Sequence, residues 1–401
     1  MTRVEKRVCN WLIQHFDAVF VIFCTIVSLY IRIALRDGIS GDMKSFLLPW
    51  YDQIKAGGGF AALSVQVGNY SIPYQTLISI LTYLPIKPEY GYKIISAIFD
   101  YLQGATIAWM VWYFSSADNA EKRNHKVAIA WVLSINLPMV FLNSAYWGQC
   151  DSIYCFFCLL TIFFLIRQKS TLAFIAYGFA CACKLQAVFL MPWILFYYAQ
   201  KREFSIWKAV LVPVVMIVLS LPGILQGRSV FDIVMIYKGQ ISQYPQISLN
   251  YPSFWNLLLP NKDERFYVFF GGVGIAVTTI VLFLEAAFFI NKKNSESKNI
   301  EICFLLTIAC VLFLPSMHER YDYLPIMIGF LICFIEPKSI LLFICLCIVN
   351  LKDYSDYLFD VSQNWEVLSV VNTLICAGYA WLLMGGNEDK KTNKHCDPPI
   401  R

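Results

Sequence analysis

Charge is scarce in this sequence. Only 15% of its 401 residues are charged, against 58% hydrophobic, and the mean hydropathy is +0.57. Soluble domains carry about 25% charged residues, so an ordinary soluble enzyme is excluded before any motif is read. The formal net charge of +5 is too small to argue for nucleic acid and bears instead on topology. The 14 cysteines give no disulfide framework, because most sit inside apolar runs, such as Cys155, Cys158, Cys345 and Cys347. Cys181-Ala-Cys183 lacks the partners of a zinc site, so the thiols read as small hydrophobes in helices. Heptads, repeats of 20 to 50 residues and low-complexity tracts are absent. The first apolar run, "FDAVFVIFCTIVSLYIRIAL", has no small-residue cleavage site after it and reads as an uncleaved first span.

Long apolar runs are what the sequence does have. A membrane helix needs about 20 residues, which leaves room for roughly a dozen spans and for no sizeable soluble domain. The expectation is an all-α polytopic membrane protein of about 11–13 transmembrane helices, one domain over 1–385, with a disordered cytoplasmic tail at 386–401. The runs at 171–183 and 187–199 are too short to cross twice and predict a broken or re-entrant hairpin inside protein. The Pro-bounded stretch 71–86 predicts a short helix at the outer interface. Lys and Arg concentrate in "MTRVEKR", "DNAEKRNHK", "RQK", "KREFSIWK", "NKKNSESK" and the tail, which places both termini in the cytoplasm.

That topology puts every segment with chemical promise on the outer face. The stretch "LPSMHERYDYLP" sets His318, Glu319, Arg320, Tyr321 and Asp322 between two apolar runs, and such clusters usually mark a site. Arg320 offers a planar fork for phosphate or carboxylate, His318 a hydrogen bond or proton, and Glu319 an orienting carboxylate. In "WGQCDSIY", Trp147 suits sugar stacking or an interfacial belt, while Gln149 and Asp151 supply hydrogen bonds. Asp151 also suits the positive end of the helix it begins. Lys184 lies amid "FACACKLQAVFLMPW", where a buried cation needs an anion from another span or from a ligand phosphate. Asp42, in the turn after the first span, could serve as general base on a hydroxyl, with Asp52 a weaker candidate on an amphipathic helix. Cys150 has no histidine near it in sequence to activate it.

Taken in order, "SGDMKSFLLPWYDQI", "GNYSIPY", "YWGQCDSIY", "CKLQA" and "MHERY" resemble the bacterial GT-C glycosyltransferases. The nearest resemblance is to proteins related to the second mannosyltransferase of GPI-anchor assembly. A more distant one runs to the dolichyl-phosphate-glucose-dependent glucosyltransferases. It covers about residues 38–325 and implies a GT-C-type bundle with interfacial helices in the first outer loop. It further implies an inverting transfer of a hexose from a polyprenyl-phosphate-linked donor to a glycan or glycolipid acceptor, in contact with membrane lipid, on the outer face of the membrane, with a bacterial plasma membrane preferred over the endoplasmic reticulum. On this resemblance Asp42 is the base, and Arg320, His318 and Lys184 meet the donor phosphate. Trp147, Gln149, Asp151, Gln186, Glu319, Tyr321, Asn69, Tyr70 and Asn250 are the substrate-binding candidates. No cofactor is demanded; an Asp42–Asp151 pair could hold a divalent metal, which some GT-C enzymes use. The alternative is a transporter or flippase of lipid-linked sugars, which would spread polar positions along the whole crossing path instead of gathering them on one side. A polysaccharide polymerase would need several arginines in a large outer loop, and 223–265 holds only Arg228 and Arg265.

Overall fold

The computed structural model describes residues 1–258 and 264–385, so the expected tail at 386–401 lies outside the described residues. Helices make up the regular structure, and no strand occurs among the described residues. Among the described residues, four helices are individually long and apolar enough to cross a membrane: Phe16–Ala34, Pro88–Phe114, Phe270–Ile290 and Trp365–Gly385. A fifth span forms if the pair Ala120–Asn136 and Pro138–Trp147 is counted as one, bent by 44°. The bend falls at Pro138, which lacks an N–H for the helical ladder and crowds the preceding turn. The protein is therefore an all-α polytopic membrane protein.

Several apolar runs that read as spans in sequence fold as helices of only 10 to 17 residues, among them Asp151–Ile166, Ser170–Cys183 and Tyr323–Ile335. At about 1.5 Å per residue these fall short of a hydrocarbon core about 30 Å thick. Asp151–Ile166 and Tyr323–Ile335 are largely buried in protein, whereas Ser170–Cys183 is buried along one side. Every residue from Asn299 to Leu312 and from Tyr323 to Ile332 is buried, so these helices form the centre of the bundle. The Phe16–Ala34 helix is the opposite case, burying only Ser28 and Arg32 while Ile22, Phe23, Ile26 and Tyr30 stay exposed. Such a surface suits lipid and not water.

The breaks in these helices matter for the site. Lys184 interrupts the chain in an extended conformation (φ −153°, ψ 140°) between Ser170–Cys183 and the 3-10 turn Leu185–Leu190. The expected hairpin thus turns inside protein, and its freed backbone finds a partner in Ser71, whose hydroxyl donates to the Cys183 carbonyl at 3.3 Å. The helix over Ile72–Leu81 buries six of its residues, so it lies against the bundle.

Two polar anchors fix where the first span ends. Arg32, the one buried charge on its helix, donates to Asp100 at 2.8 Å and to the Ile135 carbonyl at 3.1 Å, and Ser144 donates to the same Asp100 oxygen at 2.5 Å. Lys93 donates to the carbonyls of Leu35, Arg36 and Gly38 at 3.1, 2.8 and 2.5 Å. A cation there satisfies the orphan carbonyls and complements the negative end of the helix dipole. The segment that carries Asp42 therefore leaves the span from a fixed point. Removing one partner of the buried pair leaves an uncompensated charge, which costs about 3–5 kcal/mol. Arg32→Ala or Asp100→Ala should each lower the melting temperature in detergent more than the paired replacement Arg32→Met/Asp100→Leu does, as thermal unfolding followed by size-exclusion fluorescence would read.

Candidate active site

Asp42 opens a π-helical turn, Met43–Leu47, that leads into the helix Leu48–Ala56. Ser40 ties this turn to the "YWGQC" segment: its hydroxyl donates to the Trp147 carbonyl at 2.9 Å and accepts from the Met43 amide at 3.2 Å. Gly148 makes the close approach feasible. It sits at φ +78°, and a Cβ there would lie 2.2 Å from Cε of Met43. The consequence is that Trp147 and Gln149 both point their donors at the same oxygen of Asp42, at 3.0 and 2.8 Å.

Arg320 reaches that oxygen from the other end of the chain, with Nη1 3.0 Å from Oδ2 of Asp42. Tyr357 donates to Oδ1. The Tyr357 ring stacks on Trp147 at 4.7 Å, and the guanidinium of Arg320 lies 5.1 Å from the Trp147 ring centre. Burial works against the charge of Asp42, yet Arg320 beside it and the hydrogen bonds from Tyr357 and Trp147 hold its carboxyl below the usual range. Burial likewise opposes the charge on Arg320, and Asp42, Tyr70, Asp151 and Glu319 outweigh it, so the guanidinium stays ionised.

A second ion pair lies behind the first. Lys184 donates to Oδ1 of Asp151, which is fully buried at the start of the helix Asp151–Ile166. Asn143 donates to the other Asp151 oxygen at 3.0 Å, and Arg320 Nε lies 3.6 Å from it. The anion that buried Lys184 requires is thus Asp151, and Asp151 serves this pair in addition to standing at the helix's positive end. Arg320 bridges the two carboxylates, giving an alternating row Lys184, Asp151, Arg320, Asp42.

Most of the remaining candidates line one cleft of about 280 Å3 together with Asp42, Lys184 and Arg320. These are Asn69, Tyr70, Gln149, Gln186, Asn250, His318, Glu319 and Tyr321. Tyr70 donates to Gln149 at 2.9 Å, and its loop is pinned by Gln75, which donates to the Tyr70 carbonyl at 2.7 Å. His318 faces Glu319 at 3.2 Å and packs edge-on to Tyr244 at 4.9 Å. Ser316, at φ +61°, donates to the carbonyls of Tyr244 and Gln246 at 3.1 and 2.7 Å and so fastens the "MHERY" loop. Trp147 and Asp151 are not cleft residues; they are buried behind it and act on Asp42, Arg320 and Lys184. Asp322 turns away from the cleft to Asn350, which donates to it at 2.9 Å. Asp52 is exposed on the Leu48–Ala56 helix, whose buried face is Tyr51 and Ile54. Cys150 is buried, and burial pushes its thiol up, so it is no nucleophile at neutral pH.

Sequence reasoning missed Tyr357, Tyr244, Trp50, Gln240 and Gln243, all of which line this cleft. The run "KDYSDYLFD" carried a signal for the first, since Tyr354 and Tyr357 are three apart and share a helix face. As a metal site the residues do not fit. Among the described residues no group of three or more His, Cys, Asp and Glu is arranged to hold an ion, and the guanidinium of Arg320 occupies the place between Asp42 and Asp151.

Residues 69–315 match glycosyltransferase family 87, which is more than half the chain. The chain belongs to glycosyltransferase family 87. No curated protein matches it. The family 87 match begins at Asn69 and so includes Tyr70, Trp147, Gln149, Asp151, Lys184, Gln186 and Asn250, while Asp42 and the His318–Tyr321 loop lie on either side of it. The cleft closes this gap in sequence by drawing both flanks onto the matched core. As a family 87 member the protein is a glycosyltransferase, and a glycan acceptor and a lipid-linked donor follow in general terms.

The hinge of the arrangement is Gly148. A side chain there would be strained by its positive φ, at about 1–3 kcal/mol, and would push Met43 away. Gly148→Ala should lower both the melting temperature and the turnover, whereas Gly272→Ala, where an added Cβ meets nothing within 4 Å, should leave both unchanged.

Proposed function

We propose that the enzyme moves a hexose, of mannose or glucose type, from a polyprenyl-phosphate-linked donor to an acceptor hydroxyl, with inversion, in the manner of GT-C enzymes. The observation that carries this reading is the single cleft that Asp42 lines together with Arg320, Lys184, His318 and a second carboxylate, Glu319, with Arg320 3.0 Å from Asp42. A carboxylate opposite a cationic cluster is what a one-step displacement on a sugar phosphate requires. Asp42 accepts the proton of the acceptor hydroxyl while that oxygen bonds to the anomeric carbon. The bond from that carbon to the phosphate oxygen breaks, and its electron pair leaves with polyprenyl phosphate. Arg320, with Lys184 and His318, stabilises the charge that grows on the phosphate, the main electrostatic task of the site. A lipid-linked donor fits the outer face that the distribution of Lys and Arg supports, since nucleotide sugars are not supplied there. The resemblance of "MHERY" and its companion motifs to the second-mannosyltransferase-related proteins supports a hexose donor.

The Asp42–Arg320 pair adds a feature of its own. While Arg320 lies 3.0 Å from Asp42, the base is held by four donors and is weak. A donor phosphate competes for the guanidinium, and Asp42 then becomes more basic as the sugar arrives. Substrate binding thereby frees the base.

Two experiments on purified protein in nanodiscs test the reading. With a panel of short-chain polyprenyl-phosphate sugars, Asp42→Asn should lower kcat on the order of 10²–10⁴-fold. Arg320→Ala should lower it on the order of 10²–10³-fold. Arg320→Lys should rescue poorly, because an ammonium lacks the planar fork. Turnover by Asp42→Asn near that of wild type would overturn the assignment of the base. The second experiment is a pH profile. Protonation of Asp42 removes the base, so activity falls as pH drops through its pKa. In the free enzyme Arg320 and the hydrogen bonds from Tyr357 and Trp147 hold that pKa below the usual carboxylate range, so the acid limb of kcat/KM should lie below that range. In the donor complex Arg320 is shared with phosphate, so the acid limb of kcat should lie at higher pH. Coincident limbs would contradict the release of Asp42.

A further inference from the structure

A second cleft, of about 470 Å3, adjoins the first and is absorbed by none of the chemistry above. One wall is a single face of the helix Asp232–Ser242, where Asp232, Met235, Ile236, Gly239 and Gln240 recur at helical spacing. The other is the 64–69 stretch. Asn69, Gln240 and Gln243 line both clefts, so these carboxamides form a partition that the two share. Asn69 donates to Gln243 at 2.7 Å, and Gln240 donates to the Asn69 carbonyl at 2.5 Å.

The chemistry of this cleft differs from that of its neighbour. Its charged side chains are Arg228 and Asp232, which pair with each other at 3.2 Å, and Arg228 donates also to Gln66 at 2.6 Å. Among the described residues that line it, no further cation is left over for a phosphate. Four carboxamides, Gln66, Asn69, Gln240 and Gln243, interrupt the surface that a polyprenyl chain would need. The side-chain oxygen of Asn69 is buried with no hydrogen-bond partner, an acceptor left unsatisfied in the partition between the clefts. Carboxamides that can donate and accept, on a wall without net charge, match an uncharged polyhydroxylated ligand. The volume lies within the ordinary range of small-ligand sites, about 300–1,000 Å3.

We infer that this cleft is the acceptor subsite and that it binds a neutral oligosaccharide whose terminal hydroxyl crosses the Asn69–Gln243 partition toward Asp42. The inference rests on the transfer reaction proposed above for the adjoining cleft. Donor and acceptor are thereby sorted by charge: phosphate goes to the cationic cleft, glycan to the amide cleft.

Gly239 supplies the test, because a Cβ built there meets nothing within 4 Å and the position has no positive φ, so a larger side chain enters the cleft without disturbing the helix. Octyl glycosides of mannose, glucose and their disaccharides serve as probes, with binding to wild-type protein and to Gly239→Phe measured calorimetrically in detergent, apart from any turnover. Wild type should bind one disaccharide series more tightly than its monosaccharide. Gly239→Phe should weaken that binding by about tenfold or more, equivalent to about 1.4 kcal/mol. Gln66→Ala should weaken the same series while retaining the melting temperature of wild type. In turnover, the KM for the acceptor should rise in Gly239→Phe with little change in that for the donor. Absence of saturable binding by every glycoside, or unchanged binding in Gly239→Phe, would overturn the inference. A rise in donor KM alone would assign the cleft to the polyprenyl chain and overturn it equally. Turnover by Asp42→Asn would sink the proposed reaction but would leave these binding results standing, so the two failures are distinguishable.

Discussion

The contact between Asp42 and Arg320 joins residues 278 positions apart and holds the two ends of the site together. Everything around it serves that meeting. Lys93 and the Arg32–Asp100 pair fix the exit of the first span, Ser40 and Gly148 bring Asp42 under Trp147, and Ser316 fastens the loop that presents Arg320. Gly148 acts by leaving room for Met43, and each of the other devices satisfies a polar group that would otherwise be stranded in an apolar bundle. The architecture of the site is thus a consequence of hydrogen-bond satisfaction where water is scarce.

Alternation of charge explains why such a cluster is stable before substrate arrives. Lys184, Asp151, Arg320 and Asp42 form a row in which each cation touches a carboxylate, so no buried charge stands alone. A phosphate entering the cleft adds negative charge beside Arg320 and Lys184 and loosens their hold on the two aspartates. In the reaction we propose, the same electrostatics that stabilises the protein would ready Asp42 as its base. Family 87 membership makes the protein a glycosyltransferase, and in the reaction we propose the charge row would meet the phosphate of the donor.

Much of this was legible in the residues. Polar groups between apolar runs are conspicuous because lipid gives them no other reason to be there, which is why His318, Glu319, Arg320 and Lys184 stand out in sequence. What does not show is pairing across distance. Nothing in "CKLQA" says that Lys184 meets Asp151, 33 residues earlier, or that Arg320 would take the place a metal could have held. Arg32 and Asp100 pass unnoticed because each is a single charge amid the apolar residues of a long helix's interior, and their partnership exists only in the packed bundle. Tyr357 is hidden for a different reason: aromatic residues near span ends are common enough to read as interfacial. Span number was the least legible feature, since a run of 13 apolar residues looks alike whether it faces lipid or lies buried among other helices.

The most direct measurement is a cryo-electron microscopy structure of the protein with a polyprenyl phosphate bound. The account predicts that the phosphate lies against Arg320 and Lys184, and that the 3.0 Å contact between Arg320 and Asp42 has opened beyond hydrogen-bond distance. A phosphate bound elsewhere, with the Asp42–Arg320 pair intact, would contradict it.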